Sequence, residues 1–231
     1  MTPSPDAPPR VRLVVGLGNP GTRYARTRHN VGRMVAELVA RRLGVGRDVQ
    51  RYAGRWSEAR GPAGPVAFLM PETYMNESGR AVGPAAGALR AAPEQVLLVH
   101  DEIDLPFGTV RGKSGGGHGG HNGLRSVDEG LGARGYPRVR VGVGRPPAGY
   151  RGDEASWVLS PFGEDPAEVE ALIARAADMV EAVLAEGIEA AIARFHAAPP
   201  GARARARAER RDGSGEAPAE DGPDAAEAAR G

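Results

Sequence analysis

The sequence predicts an α/β fold: a single-domain three-layer sandwich whose mixed, largely parallel central sheet is flanked by helices. Two observations carry this expectation. Short apolar runs recur along the chain, and stretches of helical periodicity separate them. The central runs are almost continuously apolar, as expected for strands buried on both faces.

The elements follow in order. Val11 to Val15 reads as the first strand, and Val66 to Leu69, Val96 to His100 and Val139 to Val143 as the others. After the first strand, Val31, Met34, Val35, Leu38 and Val39 fall at i, i+3, i+4, i+7 and i+8. That spacing predicts an amphipathic helix that begins near Asn30 and ends near Gly44. Asn76 to Leu89 predicts a second helix and Gly123 to Leu131 a short third one. Val169, Leu172, Ile173, Ala176, Val180, Val183 and Leu184 mark one face of a long last helix.

Composition narrows the function classes. With 231 residues and 41% hydrophobic content, the chain suits one sizeable domain. Cysteine is absent, which excludes a disulfide framework and thiolate chemistry. The start MTPSPDAPPR lacks a signal-peptide pattern, and no apolar stretch approaches the roughly 18 residues of a membrane span. A cytoplasmic protein without membrane contact is expected. The net charge of +1 conceals a polarised tail, with Arg203, Arg205, Arg207, Arg210 and Arg211 ahead of Glu216, Glu220, Asp221, Asp224 and Glu227. Segments 1–10 and 197–231 are expected to be disordered because they offer too little apolar surface to offset chain entropy. A basic RNA-contacting arm is a second reading of the tail. The folded domain is expected over 11–196.

The stretch VGLGNPG, Val15 to Gly21, contains G-x-G-x-x-G after a strand, the setting of a dinucleotide site. That site also needs a helix starting at the glycines and an acid at the end of a second strand about 20 residues on. Here the helix begins only near Asn30, and the next acid, Glu37, lies inside it. Both conditions fail, and other residues ask for the chemistry.

Asn19, Tyr24 and His29 follow the first strand. Tyr74, Met75 and Asn76 follow the second, Asp101 and Asp104 the third, and Asn122 ends the glycine-rich KSGGGHGGHNGL. Residues just past strand ends converge in this architecture. The set suits hydrolysis by activated water: a neutral imidazole takes a proton, a carboxylate fixes its tautomer, and carboxamides donate to a developing oxyanion. No serine stands in a G-x-S-x-G setting, so no covalent route is indicated. Each residue also has a plainer reading, the asparagines and Asp101 as turn formers or caps, and Tyr74 and Met75 as packing. His118 and His121 in HGGH resemble metal ligands, yet no helix places both on one face.

The strings VGLGNPGTRYARTRHNVG, PETYMNESG, HDEIDLPFGTVRGKSGGGHGGHNGLRS and RVRVGVGRP together resemble bacterial peptidyl-tRNA hydrolases over roughly residues 11 to 196. The resemblance implies a monomeric α/β enzyme that cleaves the ester between a peptide and the terminal ribose of tRNA, using no cofactor and no metal. It implies that His29 is the base, Asp101 its supporting carboxylate, and Asn19 the residue that distinguishes an N-blocked peptidyl group. Asn76 and Asn122 become substrate-binding amides, Met75 lies beside them, and Tyr24 and Tyr74 contact the substrate end. Lys113, the single lysine, matches a tRNA phosphate contact, with Arg138 as a second cation. In this light Gly16 and Gly18 keep the turn tight, Pro20 fixes the chain so that Asn19 faces the site, and Gly115 to Gly120 form a gate.

The chain departs from the family pattern at Phe107, where LPPG is more usual, and at Glu77, where an apolar residue is common. Pro146 to Ser156 does not align readily. Two other functions stay open: a non-catalytic RNA-binding relative, and a metal-assisted peptidase or amidase using His118, His121 and an Asp.

Overall fold

The structure, a computed structural model, describes residues 10–196. The disorder expected of 1–9 and 197–231, and the RNA-contacting arm, lie outside the described residues.

Seven strands form one sheet in the order β2-β3-β4-β1-β5-β7-β6. Its centre is parallel: β1 (Leu13–Gly16) pairs with β4 (Gly64–Pro71) and β5 (Val96–Glu102), and β5 pairs with β7 (Pro137–Gly142). The margins are antiparallel, with β2 (Val49–Arg51) and β3 (Gly54–Gly61) outside β4, and β6 (Val110–Ser114) outside β7. The expected mixed sheet is therefore present.

Side chains that alternate along each strand build two cores. Val14, Phe68, Leu97, Val99, Val139 and Val141 pack under α1 (Val31–Arg42) and α5 (Pro166–Glu186), with α6 (Ile188–His196) beside them. Leu13, Val15, Ala67, Leu69, Val96 and Leu98 pack under α2 (Gly79–Leu89) and α3 (Asn122–Leu131). These are the three layers. β1, β4 and the first part of β5 are apolar on both faces because each face is covered.

The polar elements escaped prediction. β3 reads GRWSEARG, and along it only the stretch near Trp56 and Ser57 is buried next to β4. β6, VRGKS, is the outermost strand and keeps its charged residues because one face is open. The expected helix from Asn76 is divided: residues Met75–Glu77 form a 3-10 turn, and α2 starts at Gly79. There α2 approaches α3 so closely that a Cβ on Gly79 would stand 2.0 Å from the Ser126 carbonyl oxygen. The short α4 (Glu154–Val158) lies in the segment that did not align, with Asp153 Oδ1 accepting from Ser156 N as its cap.

One close approach positions the first site loop. A Cβ on Gly16 would meet Ala36 Cβ at 2.6 Å, so the glycine lets the end of β1 touch α1. As expected, α1 starts only at Val31, and residues 17 to 30 form a connection that carries Asn19, Tyr24 and His29.

Candidate active site

The carboxyl ends of β1 and β5 open into a cleft of about 700 Å³. Asn19, Tyr24, His29, Tyr74, Met75, Asn76, Asp101 and Asn122 all line it, so four separate chain segments meet there. Lys113 and Arg138 are not on its walls. Asp104 is not either; it is exposed and pairs with Arg145 at 2.5 Å.

Asp101, near the end of β5, is 3% exposed and occupies the floor. Its Oδ1 accepts from His29 Nδ1 at 2.8 Å and from His121 Nε2 at 3.0 Å. The tautomers follow from the remaining partners. His121 caps α3, its Nδ1 accepting from Gly123 N at 3.1 Å and Leu124 N at 3.3 Å, so its proton must be on Nε2. His29 gives its Nδ1 proton to the carboxylate, which leaves Nε2 with the lone pair when the ring is neutral. His29 is thus a base oriented by a buried carboxylate.

Burial disfavours charge on His29, but Asp101 outweighs it and holds the imidazole above its ordinary pKa. Burial also opposes ionisation of Asp101, and there the two imidazoles win and keep the carboxyl well below its usual range. His100 behaves differently. Its Nδ1 donates to the Asp101 carbonyl at 2.6 Å and its Nε2 has no partner; burial, with His121 nearby, pushes it down to about 3. His100 is a neutral support within the strand.

Asn19 is 6% exposed and held on three sides. Its amide nitrogen donates to Asn30 Oδ1 at 2.8 Å, Asn30 Nδ2 donates to its carbonyl at 2.9 Å, and its own Oδ1 accepts from Met75 N at 2.8 Å. With Oδ1 occupied, the Nδ2 donors remain for a ligand in the cleft. Asn76 and Asn122 are exposed at the rim, and Tyr74 is 58% exposed.

Sequence reasoning overlooked Asn30 and His121 as parts of this arrangement. Asn30 marks the start of the first helix in the sequence, and its side chain clasps Asn19 rather than capping α1. His121 entered only as a metal candidate, although its place just before α3 suited a cap. His29, Asp101 and His121 do present ligand-type atoms within 4.8 Å of one another. In each of these rings the nitrogen that faces Asp101 already donates to its carboxylate; His118 takes no part, and its Nδ1 accepts from Gly120 N at 3.2 Å.

Arg138 requires a correction. It was expected beside Lys113 as a cation for phosphate, and the two are register partners on β7 and β6. Yet Arg138 is 2% exposed, covered by the glycine loop, with its guanidinium donating to the carbonyls of Gly116 and Gly117 (2.9 Å to the latter). It pins the start of the expected gate and offers no charge to solvent. Arg111 and Arg140, the adjacent register pair on the same face, are partly exposed beside the partly exposed Lys113.

Comparisons with known proteins place the chain in a family. Residues 13–204 match the family model described as peptidyl-tRNA hydrolase. The peptidyl-tRNA hydrolase of Mycolicibacterium smegmatis is 49% identical over 187 residues, covering 80% of this chain and 97% of that protein. That of Mycobacterium tuberculosis is 47% identical over the same length, with the same coverage. A crystal structure of peptidyl-tRNA hydrolase from Acinetobacter baumannii superposes with a TM-score of 0.72 at 35% identity, covering 81% of this chain and 95% of that one. A match across most of the described residues, with relatives near half identity over almost their whole length, means that the chain belongs to the peptidyl-tRNA hydrolase family.

Proposed function

We propose that this chain hydrolyses the ester between a peptide and the terminal ribose of tRNA, with His29 Nε2 as the base that activates water. The His29–Asp101 pair on the cleft floor is the observation that carries this reading. Nε2 takes a proton from water, and the resulting hydroxide attacks the ester carbonyl. The proton then passes to the departing ribose oxygen, which yields a free peptide acid and a free tRNA. Asp101 holds the tautomer and stabilises the imidazolium between these steps.

The asparagines supply neutral donors. Asn19 Nδ2 is directed to a carbonyl of an N-blocked substrate, and Asn76 and Asn122 hold the peptide and the water from the rim. Tyr24, Tyr74 and Met75 form the wall against which the substrate end packs. Lys113, with Arg111, draws tRNA phosphates to the β6–β7 margin. The catalytic unit is residues 11–196, acting as a monomer in the cytoplasm; among the described residues no helix is long and apolar enough to cross a membrane.

The test is hydrolysis of N-acetyl-aminoacyl-tRNA in EDTA by the wild-type chain and His29→Ala, with unblocked aminoacyl-tRNA as a second substrate. Cleavage of the blocked ester alone, reduced about 10²- to 10⁴-fold in the variant, is expected. Loss of wild-type activity in EDTA, restored by metal, would instead favour the His29–Asp101–His121 set as a metal site. Binding of tRNA without turnover would favour the non-catalytic reading.

A further inference from the structure

Arg28, immediately before His29, is 2% exposed although it carries a fixed charge. Its partners all come from one distant segment. Nη2 contacts Glu164 Oε2 at 2.9 Å and Oε1 at 3.1 Å, and Nη1 donates to Ser160 Oγ at 2.8 Å and the Pro161 carbonyl at 2.5 Å. The guanidinium carbon lies 3.6 Å from the centre of the Trp157 ring and 5.4 Å from that of Phe162. The backbone joins in: Arg28 N donates to Ser160 O at 3.1 Å, and Thr27 bridges to Pro161. Phe162 in turn packs on Phe107, a position where the chain departs from the family pattern.

Burying a guanidinium is costly unless its donors are matched; both Nη atoms are matched here, Nε has no partner, and a simple covering loop needs no such cation. The segment that Arg28 grips also forms one wall of the cleft, through Glu154, Ala155, Val158 and Leu159. Meanwhile the next residue along the chain, His29, faces the floor. One guanidinium therefore connects the wall that meets the substrate to the turn that carries the base.

We propose that Arg28 is a positioning residue that couples the α4 wall of the cleft to His29, so that the wall's seating sets the His29–Asp101 geometry. Fixing the turn keeps His29 Nδ1 on Asp101 Oδ1 and its Nε2 directed into the cleft; a base displaced by about 1 Å loses much of its rate. Lysine cannot replace this residue, because a point charge reproduces neither the paired contact with Glu164 nor the stacking on Trp157.

The inference rests on His29 as the base, and the experiment keeps the two apart. Arg28→Lys, Glu164→Gln and, as a control, Arg42→Lys are compared with the full-length wild type on N-acetyl-aminoacyl-tRNA. Arg42 also joins distant elements, pairing with Asp178 and Glu181, but far from the cleft. Arg28→Lys should lower kcat roughly ten- to a hundredfold, with a smaller change in KM. It should also shift the acid limb of the kcat profile and the NMR titration of the His29 ring, which faces the Asp101 carboxylate and the neutral His121 ring. Trp157 fluorescence, one of two tryptophan signals, should change in the same variant. Glu164→Gln should give a weaker version, and Arg42→Lys should leave rate and profile unchanged. A lower melting temperature with unaltered kcat and pH profile well below it would reduce Arg28 to a structural residue and overturn the proposal. If Arg28→Lys does not fold, Glu164→Gln decides by the same readouts. An inactive wild type would overturn the function instead.

Discussion

On the cleft floor, Asp101 is 3% exposed and a single oxygen accepts two imidazole protons, whereas on the β6–β7 margin Lys113 and Arg111 are partly exposed and form no ion pair among the described residues. The floor is buried, and its hydrogen-bond partners fix both tautomers. The margin keeps charges hydrated and free to meet a polyanion. A base needs a fixed tautomer in a shielded place, and a phosphate contact needs a cation that has not been neutralised. On the proposed function, burial thus separates the residues for chemistry from those for grip.

The largest expected break of this contrast is Asp101→Asn. It should lower kcat about 10²-fold while leaving KM nearly unchanged, since wall and rim contacts persist. The sign of the pH effect is fixed as well. Asp101 raises the His29 pKa, so its loss should move the acid limb of the kcat profile to lower pH, checked by rate measurements from pH 5 to 9. An acid limb at higher pH would contradict the assigned pair.

His100→Asn probes the floor through stability. His100 folds as a neutral ring with a pKa near 3, while the unfolded ring titrates near 6.5. Unfolded chains therefore bind a proton that folded ones refuse, and stability should fall as pH drops through that window by up to about 1.4 kcal/mol per unit. His29 acts in the opposite sense, favouring the fold at low pH. Asp101 contributes above its unfolded pKa, and that contribution fades only as pH falls through its lower folded value. Asparagine can keep the donation to the Asp101 carbonyl, so urea melts of His100→Asn should show a shallower pH dependence than wild type.

His121→Ala should remove the α3 cap at a cost of about 1 kcal/mol and take one donor from Asp101. Its kcat loss should be smaller than that of Asp101→Asn. The smallest effect sharpens the other side of the comparison. Lys113→Ala should reduce the salt slope of tRNA binding by about one. Arg138→Gln should leave that slope alone but release the loop it pins, seen as faster amide exchange at Gly116 and Gly117. Equal slopes for the two variants would erase the distinction drawn between them.

Asn19, His29 and Asp101 were legible in the sequence because each follows an apolar run and the topology gathers strand ends. Arg138 shows the limit. Arg138 and Arg140 are two apart on β7 and share a face, so sequence cannot say which is covered; the glycine loop folds over the first. Asn30 and His121 show the same limit in another form, since a polar residue at a helix start reads as a cap whether it caps or reaches across the site. Arg28 gave no local signal at all, because the hydrogen-bond partners of its side chain lie more than 130 residues away.

What the sequence determined by itself is the architecture and the strand ends at which polar residues collect. Periodicity and apolar runs are local properties, and covering both sheet faces is their cheapest solution. Only the tertiary structure decided which ring nitrogen holds a proton, which arginine meets solvent, and how the α4 wall is tied to His29. Those outcomes depend on hydrogen-bond partners and burial supplied by segments distant in the chain, and no spacing encodes them.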